Sequence, residues 1–467
     1  MKIPFLLNIL FISTIVSAQD WNKDVSPDQK IFTLSKIWKE VSENFAFFEN
    51  VPLLNWDSLY QDYIPKVLES KTKYEYYRLL ERFICSLKDG HTVLYHFNEL
   101  YPHYMRFNFN NSLRLYPEGI NKRVYINHVG SKEMTKTIPL GTEIIEVNNM
   151  PVLKYLEEFV FPYIAASTEQ ALWYYGVPEM FRGLVGAGNP YQWNVKFKKP
   201  DGTVLNMMLT LTKEPTEYEG KSFPEYPVRS DLVFKWLDHE VAYLALNTFA
   251  KDTVVSQFKS LLPNIKKAKS VILDLRRNEG GNTNIGAEIL SYFTDADTLV
   301  GSKWKTRISN AYYKSNGYNL RNTKSLDDQD KMYVDYYKNN SWMTGDCMKF
   351  KNNSLYQDRL RMPMVVLTST YTVSAGEDFL IMLEGLGKRA ARIGQRTAGS
   401  SGQRLGFRIP TGGSYFICTK NDTYPDGRKF VGIGILPDIE VEPAIDDIMK
   451  EKDIILDKAI EYLKNKQ

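Results

Sequence analysis

A serine, a histidine and a glycine pair stand where this chain turns between regular elements, and acyl transfer needs those residue types. Ser374 lies in Thr372-Val-Ser-Ala-Gly-Glu-Asp-Phe379, between an apolar run ending near Ser369 and a helix predicted over 375–386. Free backbone N–H groups at a helix start favour developing negative charge, so a hydroxyl there suits a nucleophile whose oxyanion is held by the next N–H. The same residues also read as an ordinary N-cap, with Glu377 completing a capping box. The segment is not G-x-S-x-G, which argues against a lipase-type hydrolase. Gly280-Gly281, in Leu273-Asp-Leu-Arg-Arg-Asn-Glu-Gly-Gly-Asn-Thr, would let the backbone approach a ligand and present N–H groups to it. A plain strand-to-helix turn would also place glycines there, and neither phosphate-loop spacing is met. Asp89-Gly90-His91-Thr92 sets a histidine just past a helix end, where it can act as a general base, although a lone histidine is more often a satisfied surface or core residue. Two further glycine-rich segments, 392–402 and 432–439, read as turns.

The elements around these residues follow from periodicity. Ile31, Leu34, Ile37, Trp38, Val41 and Phe45 fall at helical spacing, and 74–87 carries a second helical pattern. Gly90 is expected to cap that second helix. Residues 123–129 and 193–197 alternate as short strands do, suggesting a small β-rich module over 105–213. Three prolines among the charges of 214–230 read as a linker. From 231 onward, apolar runs at 241–246, 270–275 and 364–369 alternate with helical patterns, as in a sheet buried on both faces. The polar, Asn/Tyr/Lys-rich stretch 305–360 reads as a long surface insertion, and no internal repeat is found.

Composition bounds the function classes. The chain has 467 residues, with 59 Lys+Arg against 55 Asp+Glu, a net charge of +4. Such a balance does not suit nucleic-acid binding through a basic surface. Met1-Lys2, an apolar run from Ile3 to Val16, and the small residues Val16-Ser17-Ala18 before Gln19-Asp20 have the pattern of a secretory signal peptide cleaved after Ala18. The run is short for a membrane span. The expected product is exported, periplasmic or secreted, without stable membrane insertion after cleavage. Cys85, Cys347 and Cys418 are too few and too scattered for a disulfide framework, and the five histidines form no H-E-x-x-H, so no metal site is expected.

Taken together and in order, these segments resemble the C-terminal processing peptidases and tricorn core proteases, a family of serine peptidases. Leu87–Thr92 resembles the family's L-x-D-x-H-T, Val241–Phe249 its Y-[IL]-x-[IL]-x-x-F strand, and Ile272–Gly281 its D-L-R-x-N-x-G-G. Val373–Phe379 resembles S-A-[GA]-E-x-F, Gly394–Gly399 resembles G-x-x-T-x-G, and Gly434–Asp438 resembles G-[IV]-x-P-D. Residues 138–149 are similar to the turn and strand of a PDZ domain, with Thr142 and Asn149 in place of the motif's Asp and Gly. PDZ modules add a peptide as a strand and hold its C-terminal carboxylate.

The resemblance implies an α/β fold: a crotonase-like catalytic domain (231–467) after a signal peptide (1–18), an N-terminal helical region (19–104), a PDZ-like module (105–213) and a linker (214–230). It implies Ser374 as nucleophile, with the N–H of Ala375 and of Gly280 or Gly281 as oxyanion hole, and no cofactor. Processing peptidases carry a lysine directly after the glycine of T-F-G-K-G; here the segment is Thr397-Ala-Gly-Ser400-Ser401, so His91 is the implied base, as in tricorn-type members. Tricorn proteins precede that histidine with a serine, where this chain has Gly90, and place a glutamate where it has Val431. Asp89, Asp426 or a serine of the 400–401 pair would have to orient the base. The implied substrate is a peptide or unfolded protein. Two rivals remain: a degenerate peptide- or ligand-binding protein on the same fold, and an acyl-CoA enzyme, which export and a serine at the helix start disfavour.

Overall fold

The computed structural model describes residues 24–95, 115–181, 192–210 and 230–466. The expected signal peptide and nearly all of the expected linker lie outside the described residues.

Three helices open the described chain: Pro27–Asn44, Trp56–Glu69 and Lys73–Cys85. Their apolar stripes converge, with Leu34, Ile37, Val41, Tyr76, Leu80 and Phe83 buried in one core. The third helix starts at Thr72, whose hydroxyl accepts the Glu75 N–H. It ends at Cys85, and Lys88, not Gly90, takes the left-handed conformation (φ +49°) that turns the chain. Gly90 serves space rather than conformation: a Cβ there would sit 2.8 Å from Ser400 Oγ. The expected glycine cap is therefore displaced by two residues.

Residues 115–210 build an antiparallel sheet in the order Leu115–Ile120, Arg123–Val129, Thr142–Val147, Gln192–Lys198, Val204–Thr210. Paired positive-φ residues close two of its hairpins, Asn121-Lys122 and Asn148-Asn149. Two such residues are what the tightest hairpin turn requires, and asparagine tolerates the conformation that the PDZ motif gives to glycine. Trp193, Val195, Phe197, Val124, Ile126 and Ile144 form this module's own core.

The larger unit rests on a six-stranded sheet ordered Ile439–Glu440, Ala390–Gly394, Met364–Thr368, Ser270–Asp274, Val241–Leu246, Leu232–Leu237. All neighbours run parallel except the last pair. The three central strands are buried at every residue, because helices cover both faces. Thr253–Ile265, Thr283–Ser291 and Ala375–Leu383 pack on one face through Phe258, Ile289 and Phe379. Ile454–Lys464 covers the other with Ile455, Ala459 and Leu463.

The stretch 305–360 is ordered: it holds a helical hairpin, Ala311–Leu320 with Asp328–Tyr337, flanked by short strands. Val93–Tyr95 pairs with Ser414–Cys418, which pairs with Arg404–Arg408. That small sheet ties the N-terminal helices to the six-stranded unit beside the C-terminal ends of its strands, where open parallel sheets present their ligands.

Candidate active site

Ser374 is delivered by the central strand Met364–Thr368 and starts the helix Ala375–Leu383. Its backbone sits at φ +58°, ψ −122°, a region that costs a non-glycine residue of order 1–3 kcal/mol. The surroundings enforce it. The Ser374 N–H donates to the Ser400 carbonyl at 3.0 Å and toward Glu377 Oε2 at 3.3 Å. A Cβ at residue 280 would lie 2.7 Å from Ser374 Cβ, so only glycine lets the two loops approach this closely.

His91 reaches the same point from the N-terminal region, held between the helix Lys73–Cys85 and the strand Val93–Tyr95. Its Nε2 lies 3.3 Å from Ser374 Oγ and its Nδ1 lies 2.6 Å from Ser400 Oγ. A neutral imidazole with its proton on Nδ1 satisfies both contacts: it donates to Ser400 and turns a lone pair toward the Ser374 hydroxyl. Burial, with Arg404 and Lys420 adding like charge, lowers the His91 pKa to about 3. The ring is therefore neutral at ordinary pH, the state a base needs.

Of the three candidates for orienting this base, Ser400 is the one in contact with it. Asp89 is buried and faces elsewhere: it accepts from Thr92 Oγ1 (2.6 Å) and Ser167 Oγ (3.2 Å). Its task is to shape the loop that carries His91, since Thr92 also receives the Cys418 N–H. Asp426 sits on an exposed turn, bonded to Arg428, and does not line the site. Ser401 turns away toward Asp422 at 3.2 Å. The hydroxyl of Ser400 lies where a side chain on residue 90 would begin. Gly90 and Ser400 therefore share one volume.

The glycine pair divides. The Gly280 N–H donates to Asn278 Oδ1 at 2.9 Å, whereas Gly281 lines the cavity in front of Ser374. Gly281 has φ +134° and a Cβ there would lie 2.3 Å from the Phe249 backbone, so no other residue fits. Ala375 opens the helix, where its N–H has no helical acceptor. Gly281, which lines the cavity, and Ala375, which opens the helix, are thus the candidate amide donors beside Ser374.

Sequence reasoning treated Glu377 only as a capping partner. It is a fully buried carboxylate. Oε1 accepts from Thr397 Oγ1 (2.5 Å) and the Gly399 N–H (2.8 Å), and Oε2 accepts from the Ser400 N–H (2.9 Å) and the Ser374 N–H. Burial pushes its pKa up, and the four donors facing it favour the charged acceptor. One carboxylate therefore fixes the backbones of both Ser374 and Ser400. Ser167 was also missed. It belongs to the inserted module, donates to Asp89 and accepts the Gly90 N–H at 2.9 Å. Nothing local in the sequence marks it. The neighbouring Thr168 and Gln170 bond the carbonyls of Ala398, Thr397 and Ile433. The module thereby walls one side of an open cavity of about 760 Å³ that contains Ser374, His91, Ser400 and Gly281.

Residues 240–441 match the model of peptidase family S41. Over 205 residues it is 25% identical to the carboxyl-terminal-processing protease of Picosynechococcus sp., taking in 44% of this chain and 39% of that protein. The chain therefore spans about two-fifths of the length of that curated relative. Structural likeness reaches further. Mature CPAF complexed with lactacystin superposes with a TM-score of 0.68 at 16% identity, over 94% of this chain and 99% of that one. Mature CPAF alone gives 0.67 at 14% identity, over 94% and 96%. The α/β fold is thus shared along nearly the whole chain. The S41 match begins at residue 240 and so leaves out the segment that carries His91.

Proposed function

We propose that the chain is an exported serine peptidase that hydrolyses peptide bonds of peptide or unfolded protein substrates through an acyl-enzyme on Ser374. The observation that carries this is His91 Nε2 at 3.3 Å from the hydroxyl of a serine held in a strained turn at a helix start. That distance is close to hydrogen-bond reach, and such contacts tighten when substrate binds. His91 takes the Ser374 proton as the oxygen attacks the scissile carbonyl. The amides of Ala375 and Gly281 hold the tetrahedral oxyanion. His91 then protonates the leaving amine, and water repeats the sequence on the acyl-enzyme. Ser400 fixes the proton on Nδ1 throughout. No cofactor enters these steps.

The six-stranded unit corresponds in this reading to the crotonase-like catalytic domain, and the antiparallel module to the PDZ-like one, which suits capture of exposed peptide termini. Among the described residues no helix is long and apolar enough to cross a membrane. The leader of residues 1–18 supports release to the periplasm or exterior.

A fluorophosphonate probe tests the reaction. Wild type should be labelled covalently, and Ser374→Ala and His91→Ala should not. A folded wild-type chain that resists labelling would leave a ligand-binding relative of the family instead, a reading favoured by the uncharged serine that here replaces a charged partner for the base.

A further inference from the structure

We infer that Arg404 forms a carboxylate-binding subsite on the leaving-group side of the cavity, so that the preferred substrates carry a negative charge just beyond the scissile bond. The inference rests on the peptidase reading and names the chemistry of its substrate.

Arg404 opens the edge strand Arg404–Arg408 and lines the same cavity as Ser374 and His91. Among the described residues its side chain makes one hydrogen bond, from Nη1 to Tyr95 Oη at 3.3 Å. No carboxylate lies within ion-pair distance of it among the described residues. Other arginines near the sheet are engaged: Arg276 grips Asp274 and Asp453, Arg392 grips Asp438 and Glu384, and Arg428 grips Asp426 and Glu384. A guanidinium left with most of its donors open, in a cavity beside a reactive centre, is poised for a bidentate acceptor.

The small sheet positions it. Arg404, Gly406, Phe416, Val93 and Tyr95 share one face, by the registers Arg404↔Cys418, Gly406↔Phe416 and Val93↔Phe416. The Phe416 ring lies across residue 406, where a Cβ would come within 2.9 Å of it, and Tyr95 packs edge-on against that ring at 5.4 Å. Tyr95 thus stands on an aromatic floor and points its hydroxyl at the guanidinium. Direction follows from the chemistry. The leaving amine must meet His91 Nε2 to be protonated, so the departing fragment passes the wall formed by His91, Val93, Tyr95 and Arg404. Gly281 lines the same cavity and receives the carbonyl oxygen. Glu279, the acidic side chain in the cavity lining, lies one residue before the glycine pair and so marks the oxyanion side.

The charge that Arg404 takes is either the free α-carboxylate of a short leaving fragment or an Asp or Glu side chain. The test uses the full mature chain and a degenerate synthetic peptide library in four forms: free or amidated C-termini, with Asp/Glu or with Asn/Gln. Cleavage products are read by mass spectrometry for wild type, Arg404→Gln and Arg404→Lys. Wild type should favour a carboxylate beyond the cut about ten- to a hundredfold, the scale of a charge-assisted pair. Arg404→Gln should erase that ratio and Arg404→Lys should restore part of it. Loss of preference on amidation assigns the α-carboxylate, and loss with Asn/Gln assigns the side chain. The same ratio in wild type and Arg404→Gln would overturn the inference. Binding of the four libraries to Ser374→Ala, with and without Arg404→Gln, reads the subsite independently of turnover. Carboxylate-dependent retention lost with Arg404 supports it even if fluorophosphonate labelling fails, and indifferent retention sinks it.

Discussion

At the scale of single residues, the centre gives a neutral histidine two hydroxyl partners. Ser400→Ala should lower kcat/KM roughly 10- to 10²-fold with little change in KM. That falls short of the ~10⁴ lost when a charged orienting partner is removed, because a hydroxyl fixes the tautomer without stabilising the imidazolium. Steady-state kinetics on any cleaved peptide would check it, and a KM effect alone would show that Ser400 only shapes the pocket. The His91 pKa of about 3 lies below its unfolded value of about 6.5. Between those values the unfolded chain binds a proton that the folded chain refuses. The stability linked to neutral His91 is therefore complete above about pH 6.5 and is lost as pH falls toward 3. The melting temperature of wild type should fall more from pH 7 to pH 4 than that of His91→Gln, and the acid limb of kcat/KM should lie well below the ordinary histidine value.

The place of Ser374 at a helix start was legible because an apolar run, the serine and the following acid sit within a few residues. The orienting group was not. Asp89, Asp426 and Ser400 are equally good candidates on paper, and what decides among them is that Gly90 has no side chain to fill the space Ser400 enters. An absent Cβ is read as a cap or a turn in a sequence, and its use as room for a distant hydroxyl emerges only in three dimensions.

At the scale of elements, the loops after Ser270–Asp274 and Met364–Thr368 are pressed together, and glycine sets the distance. Gly281→Ala needs a φ of +134° and puts a methyl 2.3 Å from the Phe249 backbone, so it should cost about 3 kcal/mol or more in denaturant unfolding. Glu377→Gln turns an acceptor for four donors into a group that must also donate. It should destabilise the chain by about 2–4 kcal/mol and slow labelling of Ser374. Labelling at the wild-type rate in a folded Glu377→Gln chain would show that the carboxylate merely fills space. The central strands were read from their unbroken apolar runs because burial on both faces leaves no alternation to misread. Glu377 was underread for the opposite reason: its local role as a cap partner explained it fully, which hid the turn twenty residues later that it also holds.

At the scale of the molecule, the inserted module is bonded to the chemistry. Ser167 braces the loop that carries His91, and Thr168 and Gln170 clasp the turn that carries Ser400. Thr168→Val with Gln170→Ala should remove about 1 kcal/mol per bond and lower the labelling rate several-fold while circular dichroism stays unchanged. An unchanged rate would make the module a separate appendage. Six ordered motifs carried the resemblance along the sequence, but none covers 164–176, whose partners lie far off in the chain, from Asp89 and Gly90 upstream to Thr397, Ala398 and Ile433 downstream.

Reactivity here is a property of an encounter between distant stretches of polypeptide. A fragment ending before residue 230 would own the imidazole, and one starting there would own the hydroxyl and both amides. On the proposed mechanism neither half could form the acyl-enzyme alone. Should the two halves reassociate when expressed apart, covalent capture of the probe would report their docking as a split enzyme reports its own reunion.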